Sequence, residues 1–133
     1  MAAAKHSFSV KRAKDAAFEG EGLRDFFVYR DLGIKGATRG QFGAHVIRAV
    51  RPCEAGTGRH RHALGFQMVY VLQGTCRFWY EGQGEVALEV GDCVYQPPGI
   101  VHELMACSGD CELLEITMPA DFATEAVAKE AAA

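Results

Sequence analysis

From residue 41 to residue 118 the chain repeats one pattern: a short apolar run, then glycine or proline. Apolar runs of this length, rich in Val, Ile, Leu, Phe and Tyr, predict strands rather than helices. The expected strands lie at 26–30, 41–51, 58–63, 66–73, 75–80, 85–90, 92–97, 101–107 and 111–118. Turn sequences separate them: EGQGE at 81–85, VGD at 90–92, PPG at 97–99 and SGD at 108–110. No helical pattern intervenes, so an antiparallel sandwich or barrel is expected. In the run 66–73, Gln67, Val69 and Val71 share one parity, and Phe66, Met68, Tyr70 and Leu72 share the other. Both faces of this strand are therefore expected to be covered, one by a barrel interior and one by another layer.

Outside this region the pattern weakens. DLGIKGATRG at 31–40 predicts a turn or a single helical turn. The tail from Pro119, PADFATEAVAKEAAA, predicts a short helix capped by Asp121, with a thin apolar face and a frayed end. The expectation is one domain over residues 1–133, with a core at about 41–118 and short N- and C-terminal extensions.

Composition narrows the functional classes. Of 133 residues, 49% are hydrophobic and 23% charged, an ordinary globular balance. A formal charge of −3 argues against a general nucleic-acid binder. The small cluster Lys11, Arg12 and Lys14 reads as a solvated face. No apolar stretch has the length of a signal peptide core or a bilayer span, so a cytoplasmic protein without a membrane partner is expected. Five cysteines without a secretory signal read as reduced thiols. Cys107 and Cys111 flank the SGD turn; small residues at strand ends are the favoured reading there, and a redox pair the alternative.

The candidate chemistry lies in HRH at 60–62. On a strand, His60 and His62 point to the same side. Imidazoles facing an apolar interior need partners, and a bound metal ion is one way to supply them. His102, after the PPG turn, opens another strand and is a third candidate. Pro98 and Gly99 suit the central positions of a type II turn that would launch it. His45, Arg48 and Tyr95 are further candidates for the cavity wall, each also readable as an ordinary core or surface residue. Glu103, next to His102, is expected to point the other way.

With these residues in place, the chain resembles the cupin superfamily. The first cupin motif, G-x5-H-x-H-x3–4-E-x6-G, is matched at His60, His62 and Gly74, with Gln67 in the Glu position. The second, G-x5-P-x-G-x2-H-x3-N, is matched at Gly91, Pro97, Gly99 and His102. The resemblance implies an all-β antiparallel double-stranded β-helix, the jelly-roll barrel, with a metal inside. It implies His60, His62, Gln67 and His102 as ligands of a divalent transition metal ion: Fe, Ni, Mn, Zn, Cu or Co. It also implies a homodimer, because many small cupins exchange a strand like 26–30, and the second apolar face of 66–72 would need cover.

The chain departs from the motifs at three positions. Glu54 stands where the first glycine is usual, Ala106 where the asparagine is usual, and Gln67 where the glutamate is usual. An amide brings no charge, so a divalent ion on three neutral imidazoles and Gln67 keeps a formal +2. Weaker binding, stronger Lewis acidity and no general base at position 67 are the expectations. By the same argument Gln67→Glu is expected to tighten the site.

The functional expectation is a metal-dependent enzyme, dioxygenase-like, acting on a small anionic molecule in the cavity. The alternatives are a lyase or isomerase, a module that binds a small molecule or metal without turnover, and a structural barrel without metal. The sequence forces no general acid, general base or second carboxylate in the cavity.

Overall fold

A computed structural model describes residues 5–20 and 24–129. Every strand expected from the apolar pattern forms. They are β1 (Phe27–Asp31), β2 (Gly43–Ala49), β3 (His60–His62), β4 (Phe66–Gln73), β5 (Thr75–Tyr80), β6 (Gly84–Glu89), β7 (Cys93–Tyr95), β8 (His102–Cys107) and β9 (Glu112–Met118). The segment after β1 makes the single helical turn α1 (Ile34–Ala37). Two antiparallel sheets result, in the orders β1-β2-β9-β4-β7 and, with one further strand, β10 (Thr124–Ala126), β10-β3-β8-β5-β6. This is the all-β jelly roll expected from the motifs.

The two sheets share one core. Val69, Val71 and Leu113 from the first meet Cys76, Phe78 and Leu104 from the second. Val71 is fully buried, and a side chain of that size contributes roughly 1.5–3 kcal/mol when removed from water. In β4 the residues Gln67, Val69 and Val71 are buried, whereas Phe66, Met68 and Tyr70 are half-buried and Leu72 is exposed. The inner parity is thus the one that carries the glutamine.

The tail corrects one expectation. Residues 124–126 form a strand where the sequence suggests a helix capped by Asp121. β10 adds to the edge of β3, with Thr124 opposite His62 and Ala126 opposite His60. The edge of β3 offers unpaired backbone groups, and satisfying them outweighs the weak pull toward a helix too short to hold itself. Asp121 pairs instead with Lys35 at 2.8 Å. Residues 130–133 of the expected helix lie outside the described residues.

The cysteines are free thiols; Cys93 is exposed and the other four are buried. A hydrogen bond with Cys111, together with burial, raises the Cys107 thiol. Cys111 is pushed up to about 12: the Cys107 contact lowers it, but a hydrogen bond with Cys76 and burial outweigh that. Both are protonated at neutral pH, as inert core thiols are. Among the described residues no helix is long and apolar enough to cross a membrane.

Candidate metal centre

β3 puts His60 and His62 on one side and sends Arg61 outward to Glu125, 2.6 Å away. β8 runs beside β3 in a register that sets His102 directly opposite His60. The turn before β8 contains Gly99 at φ +77°, the left-handed conformation that a type II turn requires at its third residue. The three imidazoles therefore converge, with ring centroids 4.5 Å apart for His60–His102, 4.9 Å for His60–His62 and 5.0 Å for His62–His102. Their ligand nitrogens all lie within 4.8 Å of one another.

Each ring is tethered at the nitrogen that the cluster does not need. His60 Nδ1–H donates to the Gly58 carbonyl at 2.8 Å, and His102 Nδ1–H to the Ile100 carbonyl at 3.0 Å. His62 Nδ1 meets the Thr124 hydroxyl of β10 at 2.8 Å. The two carbonyl tethers fix the tautomer of His60 and His102 and leave Nε2 with its lone pair, the form a metal ion needs; the Thr124 hydroxyl, which can donate or accept, is compatible with the same tautomer at His62. Two nitrogens on one ion at about 2.1 Å each sit no more than about 4.2 Å apart, so small side-chain adjustments suffice. The donor set fits a transition metal ion: three neutral imidazoles can hold it.

Burial keeps these rings neutral. It pushes His102 down to about 4, against the opposing hydrogen bond to Ile100, and the neighbouring imidazoles lower it further. Burial, followed by the proximity of His60, takes His62 to about 4. Burial also lowers His60, opposed by its bond to Gly58. The unfolded chain takes up these protons below about pH 6.5, the ordinary imidazole value. The folded chain resists until about pH 4. Stability therefore rises with pH through this window. Metal-free protein is expected to lose stability as pH falls from about 6.5 to about 4, by on the order of 3 kcal/mol from His102 alone. Thermal midpoints across that range check this; a flat profile would mean the rings titrate normally.

The fourth expected ligand comes from the other sheet. Gln67 on β4 is buried and lines the same cavity as the three histidines, a space of about 590 Å³. Its amide orientation is dictated by a neighbour. Gln67 Nε2–H donates to Glu115 Oε2 at 2.7 Å, which leaves the carbonyl oxygen available. The other Glu115 oxygen accepts from His45 Nε2–H, also at 2.7 Å. Burial by itself would raise the Glu115 carboxyl, but the bonds from His45 and Gln67 hold it below the usual carboxylate range. His45 thus lines the cavity, as one reading of the sequence expected. Arg48 and Tyr95 do not: Arg48 is exposed, paired with Glu112 and stacked on Phe18, and Tyr95 is half-exposed against Phe66. Glu103 points away from the cluster, as expected, toward Arg59.

Sequence reasoning missed four side chains here. Glu115 is the carboxylate the sequence did not force. Gln96, fully buried, places Nε2 3.3 Å from His102 Nε2 while its oxygen accepts from Tyr80 O–H at 2.8 Å. Burial raises the Tyr80 hydroxyl, so it stays a donor. Arg24 brings a half-buried guanidinium 3.5 Å from His60 Nδ1. Since that nitrogen already donates to Gly58, it cannot also accept from Arg24, and the guanidinium has no acidic partner among the described residues. Phe122, just before β10, closes edge-on over His62 at 5.0 Å.

Comparison with known proteins agrees with this architecture. The family described as "Cupin domain" matches residues 47–117. No curated relative matches the chain. Among solved structures, the chain is similar to KdgF from Halomonas sp., with a TM-score of 0.68 at 19% identity over 85% of this chain and 94% of that one. It is similar to the polyketide cyclase RemF from Streptomyces resistomycificus, with a TM-score of 0.71 at 19% identity over 92% and 87%. It is also similar to salicylate 1,2-dioxygenase from Pseudoaminobacter salicylatoxidans, with a TM-score of 0.63 at 13% identity over 81% of this chain and 31% of that one. Likeness at these identities speaks for the fold alone.

Proposed function

The chain belongs to the cupin domain family, and on that premise we propose that it is a metal-dependent enzyme acting on a small anionic molecule. One observation carries the reading. Three imidazoles, each tethered through Nδ1, bring their ligand atoms within 4.8 Å of one another at a cavity large enough for a small substrate. His60, His62 and His102 would hold a divalent transition metal ion, with Gln67 as fourth ligand through its carbonyl oxygen. When bound, the ion would supply Lewis acidity and, if redox-active, oxygen chemistry.

The chain's own groups do the rest. Arg24 is the one Lys or Arg among the described residues lining the cavity, and it suits a carboxylate or enolate oxygen of the substrate. Glu19, Asp31 and Asp121 also line it but are exposed, so their charge is screened at the rim. Val69, Phe78, Leu104 and Leu113 give apolar walls that exclude water. Dioxygenase-like oxidation of an enolic or phenolic anion is one use of this arrangement.

Isomerase or lyase chemistry is the second reading, and the His45–Glu115 pair favours it. With Nε2–H given to a carboxylate, His45 keeps a lone pair on Nδ1 and can take a proton from carbon. The electron pair moves onto the adjacent carbonyl oxygen, and returning the proton at a neighbouring atom gives an isomer with no net redox change.

Metal content decides between these readings. Protein purified without tag, chelator or added metal is expected to carry near one equivalent by elemental mass spectrometry. Iron, nickel, copper or manganese with oxygen uptake on enolic or phenolic substrates supports oxidation. Zinc with no oxygen uptake supports proton transfer at His45. No metal, and none taken up on titration, would leave a barrel that binds a ligand without turnover. We also propose a homodimer through the outer face of β4, where Phe66, Met68 and Tyr70 are only half-buried. Sedimentation should then give twice the 14.4 kDa chain mass.

A further inference from the structure

Glu115 sits on β9 in line with Leu113 and Thr117, both buried, and its own side chain is 15% exposed. Both carboxylate oxygens are committed: Oε1 to His45 and Oε2 to Gln67, each at 2.7 Å. A carboxylate in this position cannot rotate freely, and it decides which end of the Gln67 amide faces it. The NH2 group must face Glu115, so the carbonyl oxygen is the atom presented elsewhere. Three imidazoles and an amide by themselves put no negative charge beside a divalent ion; Glu115 brings one to within a hydrogen bond of Gln67.

We propose that Glu115 is the outer carboxylate of the metal site: it positions the Gln67 carbonyl oxygen as a ligand and supplies the negative charge that Gln67 lacks. This rests on the metal reading above. The site then divides between two residues what a ligating glutamate does alone. Gln67 provides the oxygen, and Glu115, one hydrogen bond away, provides the charge. His45 holds the far side of the carboxylate and acts as a positioning residue. The division also gives a reason for an amide at position 67. A glutamate there would face Glu115 across the same 2.7 Å contact, and two carboxylates at that distance must share a proton.

The consequences are specific. E115Q removes the charge and sets amide against amide, so nothing forces the Gln67 oxygen toward the ion. Q67E adds a carboxylate that one shared proton cancels, so it gains nothing. The double variant Q67E/E115Q moves the charge into the ligand set and keeps an N–H···O bond between the two positions.

The test is Co(II) titration of the full metal-free chain, followed by calorimetry and by the visible absorption bands that report ligand geometry. The parent is expected to bind one Co(II). E115Q should bind about 10–100-fold more weakly, with altered bands, as loss of an outer partner typically does. Q67E should bind no tighter than the parent, and the double variant should recover most of the affinity lost in E115Q. E115Q binding as the parent does, with unchanged bands, would overturn the inference; so would Q67E alone binding more tightly. If E115Q does not fold, the sign of the Q67E change still decides. A folded parent that takes up no Co(II) would sink the metal reading itself, an outcome visible before any variant is made.

Discussion

His102→Ala protein is expected to hold no stoichiometric metal and to bind added Zn(II) or Co(II) more than about 100-fold more weakly than the parent. Loss of an outer hydrogen-bond partner alone costs about 10–100-fold in metal affinity, so loss of a ligand sets a higher floor. His102 is the most informative of the three rings to remove. It is buried, it lies opposite His60 across the β3–β8 ladder, and its Nδ1 is tied to the Ile100 carbonyl. Two neutral imidazoles and an amide would remain, a set that competes poorly with water for a divalent ion. Elemental analysis of the purified variant checks the first statement, and competition with a coloured chelator checks the second. Circular dichroism must show the fold intact, because Tyr80 stacks on His102 and Gln96 contacts it. Full occupancy in a folded His102→Ala protein would mean that the ion sits elsewhere.

Gly74→Ala is expected to be the most damaging glycine-to-alanine change among the described residues. Gly74 joins β4 to β5 at φ +73°. A β-carbon there would lie 2.4 Å from Ser108 Oγ, 2.7 Å from Asp110 Oδ1 and 2.9 Å from Cys111 Cα. Side chains can move aside, but Cys111 Cα is backbone in the turn between β8 and β9. Left-handed backbone by itself costs about 1–2 kcal/mol for a residue with a β-carbon. The clash adds a similar or larger amount, for a total of about 3–5 kcal/mol. For a chain of this size that lowers the thermal midpoint by more than about 10 °C. Gly82→Ala is the control: φ is +78°, yet nothing lies within 4 Å of the added carbon. Equal midpoints for the two variants would show that the 108–111 turn yields, and that only backbone strain matters.

Gly74 also shows what could be read in advance. Its place between two apolar runs, like that of Gly91, and the prolines before Gly99 mark turns whatever lies opposite, so the strands between such residues are legible. The histidines were legible for a related reason, since spacing of two on a strand fixes a shared face. Glu115 was not. Along β9 both parities carry apolar residues, Leu113 on one and Leu114 and Ile116 on the other. Nothing local says which parity faces the cavity, and only pairing with β2 and β4 settles it. Gln96 escaped because its partners, Tyr80 and His102, come from two other strands. Arg24 lies before β1, where no periodicity predicts the path of the chain. The tail's conformation is not legible locally because the edge of β3, which decides it, is created only by the fold.

That tail strand would couple an ion on the three histidines to β10. β10 is three residues long, exposed throughout, and held mainly by β3. Its Thr124 hydroxyl is the partner of His62, and Phe122 beside it rests on the same ring. Peeling β10 away frees one imidazole, and filling the metal site raises the cost of peeling by the same free energy. Amide hydrogens of β10 are therefore expected to exchange more slowly with solvent once metal is added. If the three histidines hold an ion, a protease that trims the tail is expected to release it faster than it leaves an intact chain, so the segment would act as a latch on the metal's residence time.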